Sequence, residues 1–151
     1  MSNHSELVID LTERAFSFEE LERLLRKRFP GQQLLPRANF GLYFEFVNWL
    51  KTGRKITTIR YRRHGIDLPK ARFLDLVETK DFSKAYNDKL DEKVGRVEIN
   101  KMVFRRFRTL TEQDAKSDGF RSLEELKKVF IQIYGEIEAD EPVTIYHIGL
   151  I

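Results

Sequence analysis

The sequence contains no cysteine and only three histidines. Without cysteine the chain has no disulfides, no thiolate zinc ligands and no thiol nucleophile, and nothing in it indicates an oxidising compartment. His4, His64 and His147 are scattered along the chain, and no HExxH, phosphate-loop or GxGxxG motif is present. These absences predict a protein that uses neither a metal ion nor a bound cofactor.

Long hydrophobic stretches are missing as well. No apolar run approaches the roughly 20 residues that a helix needs to cross a bilayer. Residues 1–10 lack the basic start and the apolar stretch of a secretion signal. The sequence therefore predicts a cytoplasmic protein with no membrane partner.

The composition that remains is typical of a globular domain. The chain has 151 residues, of which 41% are hydrophobic and 34% are charged. A chain of this length forms one domain by default and is long enough to bury a substantial core. The hydrophobic fraction is well above that of a disordered chain.

Positive charge is concentrated in two parts of the sequence, although the net charge is only +3. A segregated basic face is typical of a protein that binds a phosphate-bearing partner such as RNA, but basic surfaces also serve solubility. The basic residues are Arg54, Lys55, Arg60, Arg62, Arg63, Lys70 and Arg72, followed by Lys101, Arg105, Arg106 and Arg108, and acidic residues gather at Glu136, Glu138, Asp140 and Glu141.

Capping signals and apolar spacing predict the helices. A capping box at residues 17–20 starts a first helix, and Phe29-Pro30-Gly31 ends it. Its leucines need an apolar partner, either the rest of the domain or a second subunit, so a monomer and a homodimer are both open. Further helices are predicted at residues 46–50 with Gly53 as C-cap, at residues 111–119, and at residues 123–133 after a second capping box. The last of these carries an apolar stripe that is interpreted as core, formed by Leu123, Leu126, Val129, Phe130 and Ile133.

Runs of β-branched and aromatic residues predict the strands. Residues 30–38 are interpreted as a linker, residues 62–72 as a loop, and residues 80–93 as a long polar excursion. Several short strands with helices at their ends, and no regular strand–helix alternation, favour an α+β fold built on a small mixed barrel. The predicted strands are residues 39–44, 57–61, 73–78, 95–108 and 143–148. Residues 95–108 are either one long strand that is bulged or bent, or two strands.

The most informative segment is Gly53-Arg54-Lys55-Ile56-Thr57-Thr58-Ile59-Arg60. It combines a flexible glycine, a lysine, two hydroxyls and dense positive charge where a helix ends and a strand begins. Neighbouring arginines and partial burial both disfavour the charged form of a lysine, so Lys55 is a candidate proton acceptor. Residues three apart on a strand face opposite sides of the sheet, so Lys55 and Thr58 share a cleft only if Lys55 lies in the turn.

This segment resembles the GxKxxExR signature of the ASCH domain, with threonine in place of the usual glutamate. Three later blocks, at residues 109–115, 118–120 and 126–134, resemble the second half of such domains. The resemblance covers residues 39–151, so residues 1–38 are interpreted as an N-terminal helical extension. The threonine version is most similar to the bacterial acetylcytidine amidohydrolase subgroup of the family.

The resemblance implies a PUA-like mixed β-barrel with flanking helices that binds RNA or a modified nucleoside. It also implies catalytic roles for Lys55, Thr58 and Asp118, although Asp118 stands where the subgroup has glutamate and its side chain is one methylene shorter. In this interpretation Thr58 attacks an amide, Lys55 removes its proton, and Asp118 orients the lysine or protonates the leaving nitrogen. The residues predicted to contact phosphate are Arg54, Arg60, Arg62 and Arg63.

Two other functions remain open from the sequence. One is an RNA-binding module without catalytic activity that uses the basic cleft. The other is a metal-independent ribonuclease, in which Lys55 and the arginines stabilise the charged transition state. The threonine in the motif favours the amidohydrolase, whereas the aspartate at position 118 and the leading helix favour the binding module.

Overall fold

The computed structural model of the protein describes residues 6–79 and 92–151, and its central feature is a curled, six-stranded mixed sheet. The strands are β1 (Glu6–Asp10), β2 (Gln33–Arg37), β3 (Asn39–Tyr43), β4 (Thr57–Arg60), β5 (Gly65–Pro69), β6 (Phe73–Thr79), β7 (Glu92–Arg106) and β8 (Pro142–Leu150). In the main sheet, five strands follow the order β3-β6-β7-β8-β4, and β1 pairs with β7 beside β6. A separate two-stranded ribbon joins β2 and β5 in parallel.

The long strand β7 organises the sheet. One edge pairs along much of its length with β8, and the other edge pairs first with β6 and then with β1. The β7–β8 register shifts between Ile99 and Lys101, and the buried positions change from Val97 and Ile99 to Met102 and Phe104. The extra residue bends the strand while keeping its apolar side chains on the core face. This confirms the predicted long, bent strand.

Four α-helices lie around the sheet in the described part of the chain. Ser17 caps the first, where its side-chain oxygen accepts a hydrogen bond from the amide of Glu20 at 3.1 Å. Leu21 and Leu25 of that helix are buried in the main core, so its apolar partner is the sheet of the same chain. The helices are α1 (Phe18–Arg28), α2 (Phe44–Lys51), α3 (Glu112–Ser117) and α4 (Leu123–Tyr134).

The core consists of two clusters on the curled sheet. The larger cluster contains α1, β3 and β6 side chains such as Phe40 and Leu76, together with Tyr146 of β8. The smaller cluster lies under α3 and α4 and includes Ile59, Phe120 and Phe130. Because β4 contributes to the second cluster, the basic segment is attached to a rigid part of the protein.

Two loop predictions were wrong. Residues 30–38 and 62–72 contain β2 and β5, which pair in parallel from Gln33 opposite Gly65 to Arg37 opposite Pro69. Proline and glycine favour loops, but a two-stranded ribbon tolerates proline at its edges. The predicted excursion at 80–93 overlaps β7 at residues 92 and 93, and its remainder lies outside the described residues.

The N-terminal residues also contain more than a helix. β1 joins the main sheet through its pairing with β7, and no strand was predicted there. Its sequence ELVID alternates between buried and more exposed side chains, which is typical of a half-buried strand. The boundary after residue 38 stays a prediction. Within the described residues, no helix combines the length and apolar character that crossing a bilayer requires.

A buried carboxylate fastens the ribbon to the sheet. Asp67 of β5 accepts hydrogen bonds from Arg37 Nε and Nη2, each at 2.6 Å, from Arg62 Nε at 2.9 Å and from the Tyr146 hydroxyl at 2.5 Å. Burial raises the pKa of Asp67, but the hydrogen bonds and charge of Arg37 oppose it, and the net result is a lowered pKa. The folded protein therefore stabilises the ionised form of Asp67.

We expect this carboxylate to make stability depend on pH. Because the pKa of Asp67 is lower in the folded protein than the value of about 3.9 in the unfolded chain, its contribution is present above about pH 4 and is lost as the pH falls. Urea unfolding from about pH 7 to pH 3 measures the effect. The Asp67→Asn variant should be less stable at neutral pH and show a shallower pH dependence; an unchanged slope would contradict this assignment.

Candidate functional site

A small cavity lies where the two ends of the sheet approach each other. β3 and β4 are the terminal strands of the sheet path, and Arg60 Nη2 of β4 donates to the Gly41 carbonyl of β3 at 2.8 Å across the gap. We call the cavity beside this contact the seam cavity; its volume is about 120 Å³. The polar side chains around it include Lys55, Thr58, Arg60 and Asp118.

Lys55 reaches the seam cavity from a turn. Gly53 follows α2 with a φ of +81°, a left-handed conformation that glycine adopts without strain. The Lys55 amide then bonds the Trp49 carbonyl at 2.9 Å, and β4 begins only at Thr57. Lys55 is thus outside the regular pleat, and it lines the same cavity as Thr58. The structure therefore meets the condition that Lys55 must lie in the turn to share a cleft with Thr58.

Lys55 and Asp118 form a buried pair in the seam cavity. Each residue is only 3% exposed, and Lys55 Nζ donates to Asp118 Oδ1 in a short hydrogen bond and to the Asp118 carbonyl at 3.2 Å. Burial lowers the pKa of Lys55, with the charge of Asp118 opposing the change. Burial also raises the pKa of Asp118, against the charge of Lys55. Both shifts favour the neutral amine and the neutral acid over the charged pair.

The shorter side chain of aspartate reaches Lys55 because the backbone brings it close. Asp118 is the C-cap of α3, and the carbonyl of its neighbour Ser117 accepts a hydrogen bond from the Ile56 amide at 2.8 Å. This bond draws the end of α3 against the start of β4. A capping box at Thr111 fixes the other end of this short helix.

Gly119 completes the support of Asp118. Its φ is +101°, and a Cβ atom there would lie 2.5 Å from Trp49 Cε3. Arg54 stacks on the Trp49 ring, 3.8 Å from its centroid, and Arg54 Nε donates to the Gly119 carbonyl at 2.8 Å. Trp49 and Arg54 therefore hold the turn that carries the acid.

Replacing Gly119 with alanine is expected to destabilise the protein more than replacing Gly53 with alanine. Both glycines have positive φ, which costs an L-residue roughly 1–2 kcal/mol, but only Gly119 also faces a close aromatic ring. Gly53 is the matched control, because a Cβ atom added to it would meet nothing within 4 Å. Urea unfolding compares the two free energies; equal losses would show that the Trp49 contact does not constrain the turn.

Thr58 is fixed by an arginine rather than by the lysine. Its hydroxyl oxygen accepts a hydrogen bond from Arg60 Nε at 3.1 Å, and the residue is 2% exposed. Within the described residues, both hydrogen bonds of Lys55 Nζ go to Asp118. The structure thus brings all three predicted catalytic residues to one cavity, with the lysine paired to the acid.

The four predicted phosphate-binding arginines do not form one surface. Arg62 bonds Asp67, and Arg63 donates to the carbonyls of Tyr134 and Glu136 at 3.3 and 3.1 Å. Arg54 bonds Gly119 as described above. Of the four, only Arg60 lines the seam cavity. Their role as phosphate ligands stays a prediction.

The aromatic and aliphatic wall of the seam cavity was largely missed in the sequence. The stripe on α4 was interpreted as core, yet several of its side chains also face the cavity. Tyr43 belongs to this wall, and burial raises its pKa to about 12, so its hydroxyl is neutral at physiological pH. No sequence signal distinguishes a cavity wall from core packing. The wall consists of Leu42, Tyr43, Phe46, Ile59, Phe120, Val129, Phe130, Ile133 and Tyr134.

The two histidines that the structure describes lie away from the seam cavity. His147 in β8 is opposite Thr57 and Lys101, and burial lowers its pKa. His64 is in an exposed turn with a φ of +59°. Among residues 6–79 and 92–151, no group of three histidine, aspartate or glutamate side chains is arranged to hold a metal ion.

Comparisons with known proteins assign the fold. No family model and no curated protein matches the sequence. The ASCH domain from Lactobacillus crispatus JV V101 is 12% identical, with a TM-score of 0.52 over 86% of this chain and 90% of that one. A DUF984 protein from Enterococcus faecalis V583 is 11% identical, with a TM-score of 0.54 over 87% of this chain and 85% of that one. The chain therefore has the α+β fold of the ASCH domain, as its motif predicts.

Proposed function

We propose that the protein is an amidohydrolase that removes the acyl group from an acylated pyrimidine nucleoside such as acetylcytidine. The observation that supports this proposal is the convergence of Lys55, Thr58 and Asp118 in one cavity, with the lysine and the acid forming a buried pair. Amide hydrolysis needs a nucleophile, a base and an acid, and these three side chains supply one of each. The enzyme would act in the cytoplasm without a metal or cofactor.

In the first half of the reaction Thr58 Oγ1 attacks the amide carbon. The neutral amine of Lys55 accepts the hydroxyl proton, directly or through one water, and a new ester bond forms between Thr58 and the acyl group. As the carbon–nitrogen bond of the amide breaks, the neutral carboxyl of Asp118 gives its proton to the leaving amino group of the cytosine ring. The products are the free nucleoside, an acyl ester on Thr58, and a charged Lys55–Asp118 pair.

In the second half water hydrolyses the ester. The carboxylate of Asp118 takes a proton from the attacking water, and the ammonium of Lys55 returns a proton to Thr58 as the ester bond breaks. This restores the neutral pair and the free hydroxyl. The pKa directions described for Lys55 and Asp118 suit this cycle, because each group is needed in its uncharged form at the start.

A neighbouring cavity can hold the part of the substrate that lies outside the seam cavity. This wider cavity, of about 560 Å³, shares Tyr43, Phe46, Phe120 and Val129 with the seam cavity. In our proposal the pyrimidine ring enters the seam cavity and the ribose remains in the wider one. Glu45 and Glu125 line the wider cavity, and their negative charge is unfavourable for a phosphate group.

A two-substrate assay tests the proposed function against its alternatives. The protein is incubated separately with acetylcytidine and with labelled RNA. Release of cytidine that is lost in Lys55→Met but kept in Lys51→Met, an exposed lysine at the end of α2, supports the amidohydrolase. Strand cleavage would instead identify a ribonuclease, and salt-sensitive RNA retention without turnover would identify a binding module. Either of those results without cytidine release contradicts the proposal.

A further inference from the structure

Arg60 has hydrogen-bond donors that the protein does not use. A guanidinium has five N–H donors, and Arg60 uses two: Nε donates to Thr58 Oγ1 and Nη2 donates to the Gly41 carbonyl. Among the described residues no acceptor bonds Nη1 or the second hydrogen of Nη2. The side chain is partly buried and lines the seam cavity. The end of the guanidinium formed by Nη1 and Nη2 is therefore available to a ligand.

Within residues 6–79 and 92–151, no acidic side chain forms a direct ion pair with Arg60. The nearest acids, Asp67 and Asp118, influence its pKa through space, but neither shares a hydrogen bond with it. Burial lowers the pKa of Arg60, and Arg37 lowers it further; arginine nevertheless remains protonated in proteins. A partly desolvated cation with free donors favours a ligand that presents electron-rich acceptors.

The geometry of the free N–H donors limits the kinds of ligand that Arg60 can bind. Nη1 and Nη2 present two parallel N–H groups in one plane, which suit two neighbouring acceptors in the plane of a ring, as in the bidentate contacts of arginine with base edges. The seam cavity, of about 120 Å³, is small and suits a single flat ring rather than a larger group. Phe40 lies behind the guanidinium, with its ring centroid 5.5 Å from Arg60 Cζ, and keeps that face apolar.

We propose that Arg60 is the specificity-determining residue of the site and reads the N3 and O2 acceptors of a cytosine ring. This inference rests on the proposed function and names the part of the substrate that this side chain recognises. Cytosine presents two adjacent acceptors at N3 and O2. Uracil has an N–H at N3, which opposes a guanidinium donor, and an adenine ring acylated at its amine offers only one acceptor on that edge.

The position of Arg60 agrees with the chemistry at Thr58. The same guanidinium that would hold the ring also donates to the nucleophilic hydroxyl at 3.1 Å. In an acylated cytosine the amide nitrogen is attached to the carbon next to N3. A ring held at N3 and O2 therefore places its amide beside Thr58, so recognition and attack use one rigid side chain.

Binding of unacylated ligands to the unmodified protein tests this inference without relying on turnover. Cytidine, 3-deazacytidine and uridine are titrated by calorimetry, since 3-deazacytidine differs from cytidine only in having C–H in place of N3. Loss of a hydrogen bond to a charged group weakens binding about 10- to 100-fold, so cytidine should bind that much more tightly than the other two. Equal affinities for cytidine and 3-deazacytidine, or no binding of cytidine, would overturn the inference.

A variant of Arg60 tests whether this side chain causes the preference for cytidine over 3-deazacytidine. Arg60→Met should bind cytidine and 3-deazacytidine equally weakly, and its folding is checked by urea unfolding because Arg60 also bridges β3 and β4. A folded variant that still prefers cytidine would overturn the assignment. The two proposals fail separately: a cytidine preference without hydrolysis of acetylcytidine refutes the proposed reaction alone, and hydrolysis without that preference refutes only the role of Arg60.

Discussion

Replacing Lys55 with methionine is expected to reduce the release of cytidine from acetylcytidine by about 10²–10⁴-fold, the usual contribution of general acid–base catalysis. Methionine keeps most of the side-chain volume but cannot accept a proton. In the wild-type protein the rate should rise with pH as Lys55 loses its proton and fall again as Asp118 loses the proton that it donates, because burial lowers the pKa of Lys55 and raises the pKa of Asp118. Initial rates across a pH series, with Lys51→Met as control, measure both effects.

Replacing Lys55 with methionine should also lower the stability of the protein. Such a loss distinguishes the buried Lys55–Asp118 pair from an exposed salt bridge, which contributes little. Removing one partner leaves the other buried polar group without its hydrogen bond, at a cost of about 1–3 kcal/mol, so Lys55→Met and Asp118→Leu should each lower the free energy of unfolding. The double variant should lose much less than the sum of the two losses, because neither group is left alone. Additive losses would show that Lys55 and Asp118 are not coupled, contrary to their contact in the structure.

Replacing Thr58 with valine is expected to lower turnover by at least roughly 10³-fold, since removing a nucleophile abolishes the covalent route. Valine has nearly the same shape but no hydroxyl. Thr58→Ser is the matched control, because serine keeps the hydroxyl that accepts the hydrogen bond from Arg60. We expect the serine variant to remain within about tenfold of the unmodified protein, a difference of about 1.4 kcal/mol in the barrier.

Comparison of the two Thr58 variants decides between a catalytic and a structural role. Thr58 is buried in β4, and a β-branched residue suits a strand in any case. If it were only a strand residue, Thr58→Val would fold and work, whereas Thr58→Ser would be the weaker variant. Cytidine release measured at saturating acetylcytidine, alongside urea unfolding of both proteins, shows which order holds.

Much of the fold was predictable because local signals and the tertiary structure agree. The capping residues Ser17, Thr111 and Ser122 each mark the start of a helix where the structure has one. The long strand β7 was recognisable from its run of β-branched and aromatic residues. The ribbon of β2 and β5 was not, because Asp67 of β5 bonds Arg37 of β2 and Tyr146, which are far away in the sequence, and local propensity does not reveal such contacts.

Part of the candidate site was likewise predictable from the sequence, and part of it was not. Lys55 and Thr58 were indicated by a short motif, and Gly53 correctly suggested a turn ahead of the strand. The cavity wall on α4 was not separable from the core, since both require apolar residues at helical spacing. The spacing of the basic residues did not show that Arg62 and Arg63 also bond acceptors within the protein, because charge alone carries no information on direction.

If Thr58 is the nucleophile, it must carry the acyl group between the two halves of the reaction. Rapid acid quenching after mixing with acetylcytidine, followed by peptide mass spectrometry, detects such an intermediate. We expect an acetyl ester on the peptide that carries Thr58, absent from Thr58→Val. Rapid release of cytidine by Thr58→Val, or an acetyl group found on Lys55 instead, would contradict this role of Thr58.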